Sequence, residues 1–163
     1  MKKPKTYVPR YAKNALIALF LAAALFLYLH IGAHISVRIA DITYHSASEM
    51  QDTFDQIREA IRQGDIDTSY TQYVSEDASE YVFAVYTAVA ANYGLIPAEW
   101  TLLGVQYDSD DIALLTGDPK DIAPFSSDSI SCILLTTREA AEKSRLAWAD
   151  YYVWGRAFSA AAE

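Results

Sequence analysis

EYVFAVYTAVAANYG, residues 80–94, is the stretch on which the reading of the chain turns. Asp77 and Glu80 form a capping signature at its start, its apolar side chains run nearly all round a helical projection, and Asn92-Tyr93-Gly94 reads as a C-cap. The pattern predicts a buried core helix. Its apolar part, Tyr81 to Ala91, is too short to cross a bilayer, which takes roughly 17 residues or more. Ala84, Ala88 and Ala91 would share one face, where another element could approach closely.

Downstream the period changes. WTLLGVQY (100–107), the acidic DSDD (108–111) and IALLTG (112–117) read as two short strands around a turn, with Gly104 a candidate bulge. Asp118-Pro119-Lys120-Asp121 is a turn, the stretch through Pro124 and Ser126-Ser127-Asp128 a loop, and ISCILLTT (130–137) a third strand of buried character. Thr136 and Glu139 form another capping box, opening residues 138–163 as a closing helix with charged first turns and an aromatic second half. Asp150 and Arg156 argue against a second membrane span there.

Upstream, residues 15–37 (ALIALFLAAALFLYLHIGAHISV) carry no acid, Lys or Arg, and at 1.5 Å per residue could cross a hydrocarbon core of roughly 30 Å. Lys2, Lys3, Lys5, Arg10 and Lys13 precede them without an acid, so the positive-inside tendency puts the N-terminus in the cytoplasm. A cleaved signal peptide ending at Ile31-Gly32-Ala33 is the rival. The apolar run outlasts a usual signal core of about 7 to 15 residues, which favours an anchor. Beyond it, Ile39, Ile42, Met50, Phe54, Ile57 and Ile61 recur at helical spacings, with a capping box at Ser46 and Glu49, a joint at Tyr44-His45 and an end at Gln63-Gly64.

The fold expected is α+β: one N-terminal transmembrane helix continuing into a stem helix, then a buried helix, a three-stranded antiparallel sheet and a C-terminal helix. The boundaries are a basic cytoplasmic tail over 1–13, a transmembrane helix over 14–37, an amphipathic stem over 38–64 and an acidic extracytoplasmic domain over 65–163. The expected location is the cell membrane of a bacterial envelope, single-pass.

The 163-residue chain is 52% hydrophobic and 21% charged, which excludes a disordered or collagen-like polymer. Of 13 Lys and Arg, five precede residue 14, so from Arg38 onward 8 basic residues face 21 acidic ones, or −13. Such a domain repels polyphosphate, and nucleic acid is excluded as a partner. Cys132, the single cysteine, permits no intrachain disulfide and no multi-cysteine metal site, and its apolar neighbours suggest a buried thiol.

His30 and His34, one helical turn apart, could present two imidazoles to a metal or haem, but no acid or cysteine accompanies them and an interfacial pair is the simpler reading. Asp108, Asp110, Asp111, Asp118 and Asp121 fail the calcium-loop pattern, with Ile112 and Ala113 where a ligand and a glycine should stand. No histidine follows His45, and neither a nucleophile elbow nor a phosphate-cradling glycine loop is present. No catalytic, metal or cofactor residue is therefore assigned, and no enzyme is expected.

Small residues give the association face expected of the span: Ala18, Ala22, Gly32, Ser36 and Ala40. Tyr70, Tyr73, Tyr81, Tyr151, Tyr152, Trp148 and Trp154 add contact area of the kind enriched at binding surfaces. The leading expectation is a membrane-anchored, non-enzymatic subunit whose partners are the membrane and another transmembrane protein or a second copy. The alternatives are a small-molecule sensor signalling through a partner, then a hydrolase. An enclosed ligand cavity would favour the sensor, and a flat aromatic patch the subunit.

Overall fold

The computed structural model describes residues 10–31, 34–64, 66, 74–108 and 114–163. Its elements are α1 (Arg10–Ile31), β1 (Ile35–Ser46), α2 (Gln51–Gln63), β2 (Tyr81–Asn92), β3 (Ala98–Tyr107), β4 (Leu114–Gly117), β5 (Lys120–Ile122), β6 (Ser126–Thr137), α3 (Arg138–Ala141), β7 (Arg145–Val153) and β8 (Arg156–Ala161). Two four-stranded antiparallel sheets, ordered β1-β2-β6-β4 and β5-β3-β7-β8, pack as a sandwich. The α+β expectation with a three-stranded sheet is overturned: the described residues are mostly β, in two four-stranded antiparallel sheets.

The deciding stretch is a strand. β2 is the inner strand of the first sheet, paired along its length with β1 on one side and β6 on the other, from Tyr81↔Thr137 to Asn92↔Ser126. Ala84, Tyr86, Ala88 and Ala90 face the second sheet and are fully buried, while Tyr81 and Phe83 are buried on the opposite side. A strand covered on both faces has no polar side, so its sequence reads as a continuous apolar run that periodicity cannot separate from a buried helix. The capping chemistry at Asp77 is real but local: its carboxylate accepts from the Ser79 N–H at 2.9 Å and closes a single 3-10 turn before β2. Asn92 is no helix cap. Buried, it donates from Nδ2 to the carbonyls of Ile96 and Ile122, at 2.8 and 3.1 Å, and accepts from the Gly94 N–H at 2.8 Å, pinning the β2–β3 loop to β5.

The expected closing helix over 138–163 is likewise corrected. Thr137 caps only the four residues of α3, accepting from the Ala140 N–H at 3.1 Å, and the remainder forms the β7–β8 hairpin. Trp154 and Gly155, at φ 50° and 70°, make its turn, the left-handed pair that a tight two-residue hairpin needs. The expected 100–107/112–117 hairpin does not form either, because β3 and β4 lie in different sheets. Gly104 is not the bulge: β3 shifts register between Glu99 and Leu102.

The stem over 38–64 divides. Residues 35–46 are β1, and only 51–63 form a helix, α2, ending at Gly64 with φ 77°. Burying Phe54 beside Tyr81, ring centroids 5.3 Å apart, with Val74, Ala78, Phe83 and Leu135, docks α2 on the outer side of the first sheet. The Phe54 side chain contributes roughly 1.5–3 kcal/mol by leaving water. Ile39, Ile42 and Met50, read as one stripe with Phe54, are split between the strand and the turn that follows it.

The transmembrane expectation is also corrected: among the described residues no helix is long and apolar enough to cross a membrane. α1 stops at Ile31, and residues 35–37 of the proposed span belong to β1. The single-pass location, with its cytoplasmic N-terminus and extracytoplasmic domain, is therefore not supported. Residues 1–9 of the basic tail lie outside the described residues.

Candidate interaction surface

One end of the sandwich collects three connections. Pairing of Ile35 with Asn92, Asn92 with Ser126, Ala98 with Ile122 and Glu99 with Tyr152 brings together the start of β1, the β2–β3 loop, the β5–β6 turn and the β7–β8 hairpin. The Tyr93 N–H donates to the His34 carbonyl at 2.9 Å, so α1 leads into the sandwich at this end.

Three bulky residues here hold positive φ: Trp100 at 53°, Phe125 at 54° and Trp154 at 50°. They are also among the most exposed apolar side chains of the sandwich, at 67%, 69% and 67%, and Tyr93, Leu95 and Tyr152 add further exposed apolar area. A left-handed backbone at a large side chain costs on the order of 1–3 kcal/mol, and an aromatic ring left in water returns none of it. Trp100 is held there by its own N–H, which donates to the Asp121 carboxylate at 2.9 Å across the bulge of β3.

α1 adds a second uncovered element. Leu16, Leu19, Phe20 and Leu21 are exposed, Leu16 at 72% and Phe20 at 74%, on several sides of the helix. A helix apolar on several sides is stable only when something buries it, and the described residues of the sandwich leave these side chains exposed.

The other expected groups are dispersed. Ala18 and Ala22 lie on α1, Ser36 and Ala40 on β1, and Gly32 outside the described residues, so the five do not share one helix face. His34 follows the end of α1, which removes the one-turn spacing from His30, and His45 is on β1 opposite Phe83. Asp110 and Asp111 fall outside the described residues, as do Tyr70 and Tyr73. Among the described residues no group of three His, Cys, Asp or Glu could hold a metal. Cys132 is buried between the sheets, and burial pushes its thiol up to about 11. Tyr86 and Tyr107 share a buried hydroxyl contact beside Arg145, whose guanidinium lies 5.7 Å from the Tyr86 ring centroid. Burial first, then the Tyr107 hydroxyl, raises the Tyr86 phenol, and burial raises Tyr107 to about 12.

Of the aromatics singled out by sequence, Tyr81 and Tyr151 are core and Trp154 is on the exposed end. Trp100, Phe125 and Tyr93 were not singled out. Their signal was local: each neighbours a turn marker, Pro124 before Phe125, Gly94 after Tyr93, and Pro97 shortly before Trp100.

No family model and no curated protein matches the chain. Among solved structures it is similar to a FixG-related protein from Vibrio parahaemolyticus, with 9% identity over 80% of this chain and 94% of that one, at a TM-score of 0.38. It is also similar to an uncharacterized β-sandwich protein from Clostridium difficile, with 11% identity over 80% and 87%, at a TM-score of 0.36. At these scores neither likeness carries an argument about what the chain does.

Proposed function

We propose that the protein is a non-enzymatic subunit that associates with other proteins through α1 and the aromatic end of its sandwich. The observation that supports this reading is the coincidence of backbone strain and exposure at Trp100, Phe125 and Trp154. Sandwich stability gains nothing from holding these rings in water, whereas a partner that buries them would recover the cost of the strain. The unburied apolar helix leading into the same end points the same way. Two clefts among the described residues, of about 370 and 360 Å³, are open to solvent, and neither is the enclosed apolar cavity that would favour a small-molecule sensor.

The test is crosslinking and native mass spectrometry of the full chain isolated from its own cells in a mild detergent. Wild type is expected to carry a protein partner or a second copy in fixed stoichiometry. Trp100→Asn, Phe125→Asn and Trp154→Asn place a residue tolerant of the left-handed region at each site, so unfolding temperature should hold or rise while the partner is lost. A monomer whose α1 is covered by lipid or detergent alone, or triple-variant protein that keeps its partner, would overturn the reading.

A further inference from the structure

Among the described residues none covers the outer side of the second sheet, and its central residues are arranged as a platform. Along β7, Ala149, Tyr151 and Val153 are buried toward the first sheet, so Leu146, Trp148, Asp150 and Tyr152 project the other way. Register sets Trp148 between Gly104 and Ala161, and Asp150 between Leu102 and Ser159. A Cβ on Gly104 would meet the Trp148 ring atoms Cε2, Cζ2 and Nε1 at 2.6, 2.8 and 2.8 Å. Three ring atoms nearly equidistant from one point mean that the indole lies face-on against the Gly104 backbone, with its other face turned outward. Glycine is required for that close approach.

The indole does not stand alone. Its Nε1–H donates to Asp150 Oδ2 at 2.9 Å, and Ser159 Oγ donates to the other carboxylate oxygen. A carboxylate has about four lone-pair sites, so two remain to accept from a ligand, on a group already fixed in orientation. An open cleft of about 360 Å³ adjoins it, lined by Asp150, Tyr152, Ala157 and Ser159 together with Tyr151 and Phe158 of the inner side.

We propose that this face binds a neutral oligosaccharide. The apolar C–H side of a sugar ring lies on the outward face of Trp148, and ring hydroxyls donate to the free positions of Asp150. Tyr152, four residues along the strand and so roughly 13 Å away, offers a second ring, a separation that calls for a chain of sugars rather than one. The ligand chemistry follows from three features. A flat ring on an open sheet lacks the enclosing walls that make an aromatic cage for a cation. Asp150 and the chain's net charge of −8 repel anions. An oriented carboxylate beside an apolar ring matches a ligand carrying hydroxyl donors on the edge of an apolar face.

This proposal stands apart from the association reading at Trp148 and Asp150, which are on the sheet face away from the aromatic end, and meets it at Tyr152, which borders both. The experiment is isothermal titration calorimetry of the full chain against cellohexaose, chitohexaose, maltohexaose and mannohexaose, with tetramethylammonium as the cationic probe. At least one oligosaccharide is expected to saturate the protein. Trp148→Ala should then weaken it tenfold or more, and Asp150→Asn and Tyr152→Ala severalfold. Circular dichroism verifies each fold, and Tyr152→Ala carries the test alone if Trp148→Ala fails to fold. Trp154→Asn is expected to leave saccharide binding unchanged while losing the protein partner. Absence of binding by all four oligosaccharides, equal binding by the folded platform variants and wild type, or binding of tetramethylammonium alone would overturn the proposal.

Discussion

Cys132 and Gly104 show how single positions are set by neighbours remote in sequence. Cys132 Sγ lies between the sheets, where desolvation raises the thiol from its usual 9.0 to about 11. A folded pKa above the unfolded one means that the neutral thiol's contribution is whole below pH 9 and is lost as pH rises toward 11. The urea midpoint should therefore fall between pH 9 and 11, and the fall should be shallower in Cys132→Ala. Below pH 8 the native thiol should resist a maleimide that labels the unfolded chain, and rapid native labelling would contradict its burial. At Gly104 an added Cβ would overlap the indole of Trp148. Gly104→Ala is expected to lose about 1–3 kcal/mol by overpacking, read from urea unfolding, and Trp148→Ala in the same chain should restore part of it.

At the scale of elements, local signals describe local chemistry and no more. Asp77 caps as its sequence context indicates, whereas α3 is capped by Thr137 and not by the expected Thr136, and each cap opens a single turn because strand pairing claims the residues that follow. Gly64 ends α2 as the sequence predicts, since a left-handed C-cap is a one-residue requirement. α2 is held by one large anchor. Phe54→Ala should cost about 3–5 kcal/mol if α2 unfolds together with the sandwich. If α2 detaches by itself, amide exchange will show its protection lost while that of β2 and β6 is kept, and thermal unfolding will become two steps.

Over the whole molecule, the sandwich is closed along one side by its last residues. Ala162 bridges Val37 in parallel, the Ile39 N–H donates to the Glu163 carbonyl at 3.0 Å, and the Glu163 N–H donates to Val37 at 3.0 Å. These bonds join β8 to β1 and cover part of two sheet edges. Each is worth about 0.5–1.5 kcal/mol, so removal of Ala162 and Glu163 should lower stability by about 1–3 kcal/mol and expose the amide of Ile39 to exchange. Unchanged stability would mean that the edge pairing contributes nothing in solution.

The sequence by itself determined the acidic charge, the buried cysteine, the helix ending at Gly64 and the strand through Cys132. Each depends on composition or on contacts close along the chain. Tertiary structure alone decided that residues 80–94 form a strand, that 138–163 fold back as a hairpin, and that Trp100, Phe125 and Trp154 gather at one end. β2 is held on both sides by partners remote along the chain, from Ser46↔Val82 to Ile35↔Asn92 and from Asn92↔Ser126 to Tyr81↔Thr137, and its two buried faces erase the alternation that would have marked it. The exposure of Trp100 and Phe125 is illegible in the sequence for the opposite reason. A ring's exposure follows from which turns the folded sheets bring together, and no spacing along the chain records it.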